Sequence, residues 1–396
     1  MKKSLLSALL LLAACGGDDA GDGGPLPCDP QASVPAGSQV WSAAPDGTCM
    51  QAASKDVAGQ FFVAQFLPGG GGARFSGTVD GARKTFHAAL DGSGPIEVVN
   101  GTLSPNGALV VSAGDDGDNG VDARVSAVDG SNEIVVTELD FADRVDGIAW
   151  APGSDKIMLN LENTSTSTGD GPMLFDASLG TIRNYVGQFY EGYATWSPDG
   201  TRLLIDGSTT DVTGLWSIPA DRGDARRLTM GKEASGVWID DGHILAARNT
   251  GATFDGPYEI VKVDAASGTV TPVATMADLG IAVIRDVAQD GKTAAVWRTR
   301  TATTEAGLYF IDLASGAMTP VGAAGLSGWA GKFSPDNKYF VAGAAPPGTA
   351  ARLYRISRDG SEVTPLTSGL LNASFAGWSA DGARMMWIGA PLDSPQ

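Results

Sequence analysis

Short apolar runs of about strand length alternate with small polar turns along most of the chain. The stretch "TWSPDGTRLLI", residues 195–205, is typical. Pro198 fixes the φ angle of the turn, Asp199 can bond its own backbone, and Gly200 accepts a positive φ. Apolar runs on both sides of such a turn predict a β-hairpin.

This hairpin signal recurs seven times, at intervals of 47, 46, 42, 49, 46 and 45 residues. A period in this range predicts the four-stranded blades of a β-propeller. The copies are "LSPNG" from Leu103, "WAPGS" from Trp150, "WSPDG" from Trp196, "WIDDG" from Trp238, "VAQDG" from Val287, "FSPDN" from Phe333 and "WSADG" from Trp378. We assign structural roles in these turns to Trp196, Pro198, Asp199, Gly200, Trp238, Gly242, Gly291, Phe333, Pro335, Asp336, Trp378, Asp381 and Gly382.

A second kind of hairpin, with a Gly-containing turn between two apolar strands, also occurs seven times between these copies. The first spans 86–99 and precedes Leu103, and the last copy, at Trp378, has one partner strand at 384–390. This offset predicts an all-β, seven-bladed propeller whose N- and C-terminal hairpins share one blade, leaving no open sheet edge there. Strand-like pieces in 39–67 leave eight blades as the alternative. The glycines of 68–72 are interpreted as linker.

The stretch 196–229 resembles the propeller repeat of the TolB family, which has an aromatic residue before S-P-D-G, an apolar strand, a variable loop and a closing "RLT". The resemblance covers 83–390 and implies a WD40-like propeller. TolB proteins carry a sizeable α/β domain before the propeller. Residues 28–82 are too few and too rich in Gly to supply one, so they are assigned to an N-terminal extension.

The N-terminus has the pattern of an export signal. Lys2 and Lys3 precede an apolar run that is too short to span a membrane, and residues 1–14 are assigned to a signal peptide. The ending "LAAC" resembles the lipobox of bacterial lipoproteins, which implies that Cys15 carries a diacylglyceryl group and an N-acyl chain such as palmitate. The alternative is an ordinary cleaved signal with a chance cysteine. Residues 15–27 are acidic and Gly-rich and predict a flexible tether.

The remaining cysteines, Cys28 and Cys49, predict a disulfide bond if the chain is exported, with two unpaired thiols as the alternative. Loss of Lys2 and Lys3 takes the formal charge from −18 to −20. So acidic a protein is not expected to bind nucleic acid or anionic lipid headgroups. We expect a monomeric domain in the bacterial cell envelope, and Gly16 after Cys15 favours the periplasmic face of the outer membrane.

The loops that join the blades are expected to emerge on one face, together with the loops between second and third strands. A binding surface is therefore expected on that face. Aromatic and charged residues in a ring of loops favour a protein interface. Packing between blades is the alternative for Trp329 and Phe375, and solvation is the alternative for the charges. The predicted face consists of Asp143, Arg144, Tyr190, Glu191, Tyr193, Lys232, Arg285, Trp329 and Phe375.

Residues typical of catalysis are scarce. The two histidines, His87 and His243, are interpreted as structural or surface groups, and no G-x-S-x-G motif occurs. The acidic stretch 115–122 has oxygen ligands but not the spacing of a calcium loop, so no cofactor or metal is predicted. We therefore expect a non-catalytic, lipid-anchored scaffold for an envelope protein. The alternative is binding or processing of a small molecule or glycan in the central channel by carboxylates or a metal.

Overall fold

The computed structural model describes residues 39–391 except 91–93, 116–120, 140–143, 164–167, 186–190, 209–212, 222, 230–231, 254–255, 278–279, 300–305, 322–326, 346–350 and 368–369. The described chain forms eight four-stranded antiparallel sheets, the blades of a propeller. The prediction of seven blades is therefore wrong, and the eight-bladed alternative is correct. Within this part of the chain, no helix has the length and apolar character needed to cross a membrane.

The blades are numbered around the ring, and the strands of each are given from the centre outwards. Blade 1 contains β31 (Leu370–Trp378), β32 (Met385–Pro391), β1 (Gln39–Ala43) and β2 (Gln51–Ala52); blade 2, β3 (Gln60–Phe66), β4 (Gly72–Val79), β5 (Ala82–Ala89) and β6 (Ile96–Val98); blade 3, β7 (Thr102–Leu103), β8 (Leu109–Asp115), β9 (Val121–Ala127) and β10 (Ile134–Leu139); blade 4, β11 (Arg144–Trp150), β12 (Lys156–Asn163), β13 (Thr168–Asp176) and β14 (Thr181–Tyr185).

The other four blades follow the same order. Blade 5 contains β15 (Glu191–Trp196), β16 (Arg202–Ser208), β17 (Thr213–Pro219) and β18 (Arg226–Arg227); blade 6, β19 (Lys232–Asp240), β20 (His243–Asn249), β21 (Tyr258–Asp264) and β22 (Val270–Met276); blade 7, β23 (Ala282–Val287), β24 (Thr293–Arg298), β25 (Gly307–Asp312) and β26 (Met318–Val321); blade 8, β27 (Ser327–Phe333), β28 (Tyr339–Ala345), β29 (Arg352–Ser357) and β30 (Val363–Pro365).

Blade 1 closes the ring with strands from both ends of the chain, as predicted. Strand β1 pairs with β32, placing Val40 opposite Ile388 and Trp41 opposite Trp387. The Trp41 indole also donates a hydrogen bond to the Gly389 carbonyl at 3.3 Å. However, the N-terminal partner is the hairpin of β1 and β2, not the segment 86–99.

The segment 86–99 instead belongs to a complete blade 2, because residues 66–70 form a turn of the S-P-D-G type. The Leu67 amide donates to the Gly72 carbonyl at 2.8 Å, and the Gly70 amide to the Leu67 carbonyl at 2.9 Å. Gly69 and Gly70 adopt positive φ angles of 84° and 75°. The stretch interpreted as linker is thus a turn between two strands. Residues 39–79, assigned by sequence to an extension, contribute four strands to the ring.

The hydrophobic core is divided among the junctions between blades. One cluster joins blades 1 and 2 and includes the fully buried Val40, Phe75 and Met386. Six further clusters join neighbouring blades from blade 3 round to blade 1. Beside blade 3, the buried Arg74 guanidinium donates to the carbonyls of Val99 and Gly101 at 2.7 and 3.1 Å. Every blade therefore depends on its neighbours for its burial of apolar surface.

The S-P-D-G turns have a common hydrogen-bond pattern. The Ser197 hydroxyl donates to Asp199 Oδ1 at 2.6 Å and accepts from the Arg202 amide at 3.0 Å. The equivalent hydroxyl–carboxylate bonds at Ser334 and Ser379 are also 2.6 Å long. Gly200, Gly291 and Gly382 have φ angles of 67–69°, as the turn requires. Gly242 differs, because the turn there is tighter and pairs Asp240 with His243.

Neighbouring turns also bond to one another. The Asn106 amide donates to Ser154 Oγ at 3.0 Å, the Asp199 amide to Asp241 Oδ1 at 2.9 Å, and the Asp290 amide to Asn337 Oδ1 at 3.3 Å. We call this side of the ring the turn end. The opposite side, where blades are connected and second strands pass into third strands, is the loop end.

The closure of blade 1 predicts that Val40→Ala destabilises the whole domain. Val40 is fully buried, so removing its two methyl groups should lower the free energy of unfolding by about 2 kcal/mol, measured by urea denaturation. The matched control is Val135→Ala, since Val135 is 44 % exposed, and its cost should stay within about 0.5 kcal/mol. Equal, small effects of the two changes would contradict the role of β1 in closing the ring.

Candidate functional site

The sequence analysis places the partner-binding face at the loop end, and the structure does not describe most of the side chains of that face. This applies to Asp143 and Tyr190 entirely. For five further face residues, the structure describes the backbone but not the side chain. These are Arg144, Glu191, Tyr193, Lys232 and Trp329. The face therefore stays a prediction.

Arg285 and Phe375 are the two predicted face residues whose side chains are described. Arg285 lies in β23 and is partly buried; its Nε atom has no hydrogen-bond partner among the described residues, and burial lowers the pKa of its guanidinium. Phe375 lies in β31, with its ring 5.8 Å from that of Trp378, and packs against the cluster between blades 8 and 1.

At the turn end, a repeated contact joins the innermost strands of neighbouring blades. In four blades, the tryptophan that begins the S-P-D-G turn donates a hydrogen bond from its indole N–H to the preceding blade. The acceptor is the carbonyl of the residue just before that blade's own aromatic residue. The four bonds run from Trp150 to Thr102 (2.9 Å), Trp196 to Ala149 (3.2 Å), Trp238 to Thr195 (3.2 Å) and Trp378 to Lys332 (3.2 Å).

The acceptor residues define one equivalent position in all eight inner strands, which we call the ring position. It is the residue immediately before the aromatic residue or its replacement. Because the strands are related by the repeat, these residues form a circle around the channel. The circle consists of Gln65, Thr102, Ala149, Thr195, Val237, Asp286, Lys332 and Gly377.

Asp286 makes a different contact at this position. The residue arriving from blade 8 is Phe333, which has no indole, and its backbone amide donates to Asp286 Oδ2 at 2.7 Å. Burial raises the pKa of Asp286 to about 6. The hydrogen bond from Phe333 and the charge of Lys332 both oppose that rise but do not cancel it. The carboxyl group thus connects two blades, although burial disfavours its charged form.

Asp286 faces a cavity of about 760 Å³ at the mouth of the channel. Five members of the circle line it: Gln65, Thr102, Asp286, Lys332 and Gly377. Its walls also include aromatic side chains and hydroxyl groups from several turns. These are Phe66, Trp150, Phe333 and Trp378, with Ser104 and Ser379. A cavity of this size, with apolar walls and a few polar groups, has the properties of a ligand site.

A second cavity, of about 650 Å³, lies further out between blades 7 and 8. Arg358 lines this cavity, and its guanidinium donates hydrogen bonds to both carboxylate oxygens of Asp290, at 2.7 and 3.0 Å, and to the Thr293 hydroxyl. These bonds connect the two blades. They engage the Arg358 guanidinium in the protein itself, so we regard this cavity as a structural junction.

The histidines have structural contacts. His87 Nε2 lies 2.8 Å from Arg74 Nη1, and burial together with that positive charge lowers the pKa of His87 to about 4. His243 Nδ1 contacts the Asp240 carboxylate at 2.9 Å. In the acidic stretch, Asp122 pairs with Arg124 at 2.6 Å. Within the described residues, no group of three His, Cys, Asp or Glu side chains could hold a metal ion.

The sequence interpretation missed Asp286, Lys332 and Gly377. Each directly precedes a residue that was singled out for its turn, at Val287, Phe333 and Trp378. Aligning the seven copies one residue earlier would have placed all three at one position, and the eighth copy would have added Gln65. These residues are therefore recognised by their position in the repeat and not by their residue type.

No protein-family model matches the chain, and no curated protein matches its sequence. Solved structures do match its fold. A prolyl endopeptidase superposes with a TM-score of 0.54 at 13 % identity, covering 77 % of this chain and 49 % of the enzyme. An oligogalacturonate lyase in complex with manganese gives 0.52 at 13 % identity, covering 85 % and 90 %. TolB from Acinetobacter baumannii gives 0.42 at 14 % identity, covering 84 % and 79 %.

The fold is a β-propeller. The expected β-propeller is confirmed, and it is structurally similar to a prolyl endopeptidase and an oligogalacturonate lyase. The chain spans about half the length of the prolyl endopeptidase. At 13–14 % identity these likenesses concern the fold alone.

The raised pKa of Asp286 predicts that Asp286→Asn stabilises the protein as pH rises. Asparagine keeps an oxygen acceptor for the Phe333 amide and removes the charge. The native carboxyl keeps its proton up to about pH 6, whereas the unfolded chain loses it near 3.8, so its contribution to stability falls between these values. The advantage of the variant should therefore grow from about pH 4 to pH 7, by at most about 3 kcal/mol.

The measurement is the free energy of unfolding in urea across this pH range for both proteins. His87 has the opposite effect, because its pKa is lowered from 6.5 to about 4, and stability from this group is lost as pH falls through that window. That contribution is common to both proteins and cancels in the difference. Parallel stability curves for wild type and variant would contradict the assignment.

Proposed function

We propose that this chain is a lipid-anchored propeller of the bacterial cell envelope that binds a protein partner through its loop end without catalysis. The supporting observation is the strand order. Each blade consists of four antiparallel strands in sequence from the centre outwards, with blade 1 built from both chain ends. Consequently, all connections between blades, and all loops between second and third strands, emerge on one side.

The two ends of the ring are suited to different roles. At the turn end, neighbouring turns bond to one another through Ser154, Asp241 and Asn337. The segments that join the strands at the loop end differ in sequence from blade to blade. Variable loops held on a rigid scaffold are the usual carriers of recognition. We assign to this end the residues of the predicted partner face other than Arg285 and Phe375, which lie within inner strands.

The anchor follows from the lipobox-like ending at Cys15, which lies outside the described residues. Two or more acyl chains hold a protein stably at a membrane, whereas one does not. The acidic tether of 15–27 would separate the propeller from the bilayer. We place the protein on the periplasmic face of the outer membrane, as a monomeric domain.

Cys15→Ser is expected to release the protein from the membrane fraction of a bacterial host. Wild type should take up an alkyne-labelled palmitate analogue and sediment with outer-membrane vesicles, while the variant should be unlabelled and soluble. Cys28→Ser is the matched control and should still be labelled. Labelling of the Cys15→Ser variant would disprove the assigned lipid attachment site.

We also propose that Cys28 and Cys49 form a disulfide bond, which would tie the N-terminal segment to the turn between β1 and β2. Cys28 lies outside the described residues, and the assignment of the Cys49 sulfur to a disulfide supports the pairing. Mass spectrometry of a non-reduced digest should find the two cysteines in one linked peptide pair, 2 Da lighter than the sum of the thiols, about the mass of the two hydrogens lost on forming the bond. Free thiols at both positions in protein from an oxidising compartment would contradict it.

Partner binding is tested by crosslinking and affinity capture from envelope extract. The variant Glu191→Ala/Lys232→Ala removes one charge of each sign at the loop end, and should lose a stoichiometric partner held by wild type. The matched control, Asp221→Ala/Lys338→Ala, removes exposed charges of each sign at the turn end and should retain it. Equal retention by both variants, or loss in the control alone, would refute the loop-end interface.

A further inference from the structure

The channel mouth at the turn end is built differently from the rest of the ring. Five ring-position residues, contributed by blades 7, 8, 1, 2 and 3 in succession, line its cavity of about 760 Å³. In order around the arc they are Asp286, Lys332, Gly377, Gln65 and Thr102. The arc thus presents a carboxyl group, an ammonium group, an open space, an amide and a hydroxyl on neighbouring blades.

Gly377 leaves space in this arc that packing does not require. A Cβ atom added at Gly377 would meet no atom within 4 Å, and its φ angle lies outside the left-handed region that demands glycine. Gly331 in the neighbouring inner strand is different, since a Cβ there would approach the Val341 carbonyl to 2.2 Å. The opening at Gly377 is therefore a gap in the lining of the cavity and not a consequence of close backbone contact.

The polar groups of the arc are a matched set of donors and acceptors. Asp286 and Lys332 attract one another electrostatically, and their formal charges cancel. A ligand that satisfies a carboxylate, an ammonium and an amide side by side must both donate and accept hydrogen bonds. Hydroxyl groups do both. Because the arc has no net charge, it does not favour a ligand of either sign.

The apolar walls suit the same class of ligand. Trp378 and Phe66 follow Gly377 and Gln65 directly and are both partly exposed, so they offer ring surface beside the polar arc. Buried hydroxyl groups of Ser104 and Ser379 complete the lining. A volume of this size falls in the range that accepts a drug-sized molecule. One or two sugar rings are of that size.

We propose that the channel mouth at the turn end binds an uncharged, polyhydroxylated ligand, a neutral sugar or short glycan. Its hydroxyl groups donate to Asp286 and the Gln65 amide oxygen and accept from Lys332, while its C–H faces lie against Trp378 and Phe66. The site is separate from the loop end. It requires neither a metal nor a chemical step.

The test measures binding of the full chain, in a detergent that contains no sugar, to an array of neutral oligosaccharides. Hits are confirmed by calorimetry with the free disaccharide. Two variants probe the site: Gly377→Leu fills the gap, and Asp286→Asn removes the carboxylate but keeps the bond from Phe333. Gly94→Leu is the matched control, since its Cβ also enters open space and it lies outside the cavity.

Gly377→Leu should abolish binding, Asp286→Asn should weaken it by about 10-fold through loss of a charged hydrogen bond, and Gly94→Leu should leave it unchanged. Unfolding curves confirm that each variant is folded. The proposal is overturned if no neutral glycan binds, if binding survives Gly377→Leu, or if the cavity takes a zwitterionic dipeptide such as glycylglycine instead. Capture of a protein by the loop end would be unaffected by these variants, so the two proposals fail separately.

Discussion

A propeller is stable only if each blade is attached to the next. In this protein, the recurring contact is a hydrogen bond from a tryptophan indole N–H to a backbone carbonyl of the neighbouring blade. Four tryptophans make it, between blades 3 and 4, 4 and 5, 5 and 6, and 8 and 1. The bond sits where the inner strand ends and the turn begins, so it fixes the spacing of the strands around the channel. The same residue therefore ends a strand, starts a turn and connects its blade to the preceding one.

The exception among these contacts links the architecture to the candidate site. Where the incoming residue is Phe333, the connection between blades is made by the Asp286 carboxylate, which then faces the channel. Burial in that position raises the pKa of the Asp286 carboxyl to about 6. A carboxyl group in a cavity with a strongly shifted pKa is a recognised mark of functional sites. The structural role and the ligand-binding role coincide in a single side chain.

Sequence patterns predicted the propeller, its four-stranded blades and its closure by both chain ends. They gave one blade too few because the eighth turn, at 66–70, carries Leu and Gly at positions where four and five of the other seven copies have Ser and Asp. Its geometry depends on backbone φ angles instead of side-chain hydrogen bonds, so it has little signal in residue types. The channel residues were missed for another reason. Asp286 and Gly377 are unremarkable in their own segments and acquire meaning only when repeats are compared position by position.

The pairing of residues 40 and 388 has a consequence for how the molecule is made. Strand β1 pairs early with β2, but its other edge has no partner until nearly the entire polypeptide has left the ribosome. Until then, the outer hairpin of blade 1 exposes Val40 and Trp41, both of which belong to the finished core. Synthesis must therefore be nearly complete before this seam can close. Any nascent chain cut short before its last two strands would present an unpaired, adhesive edge to its surroundings.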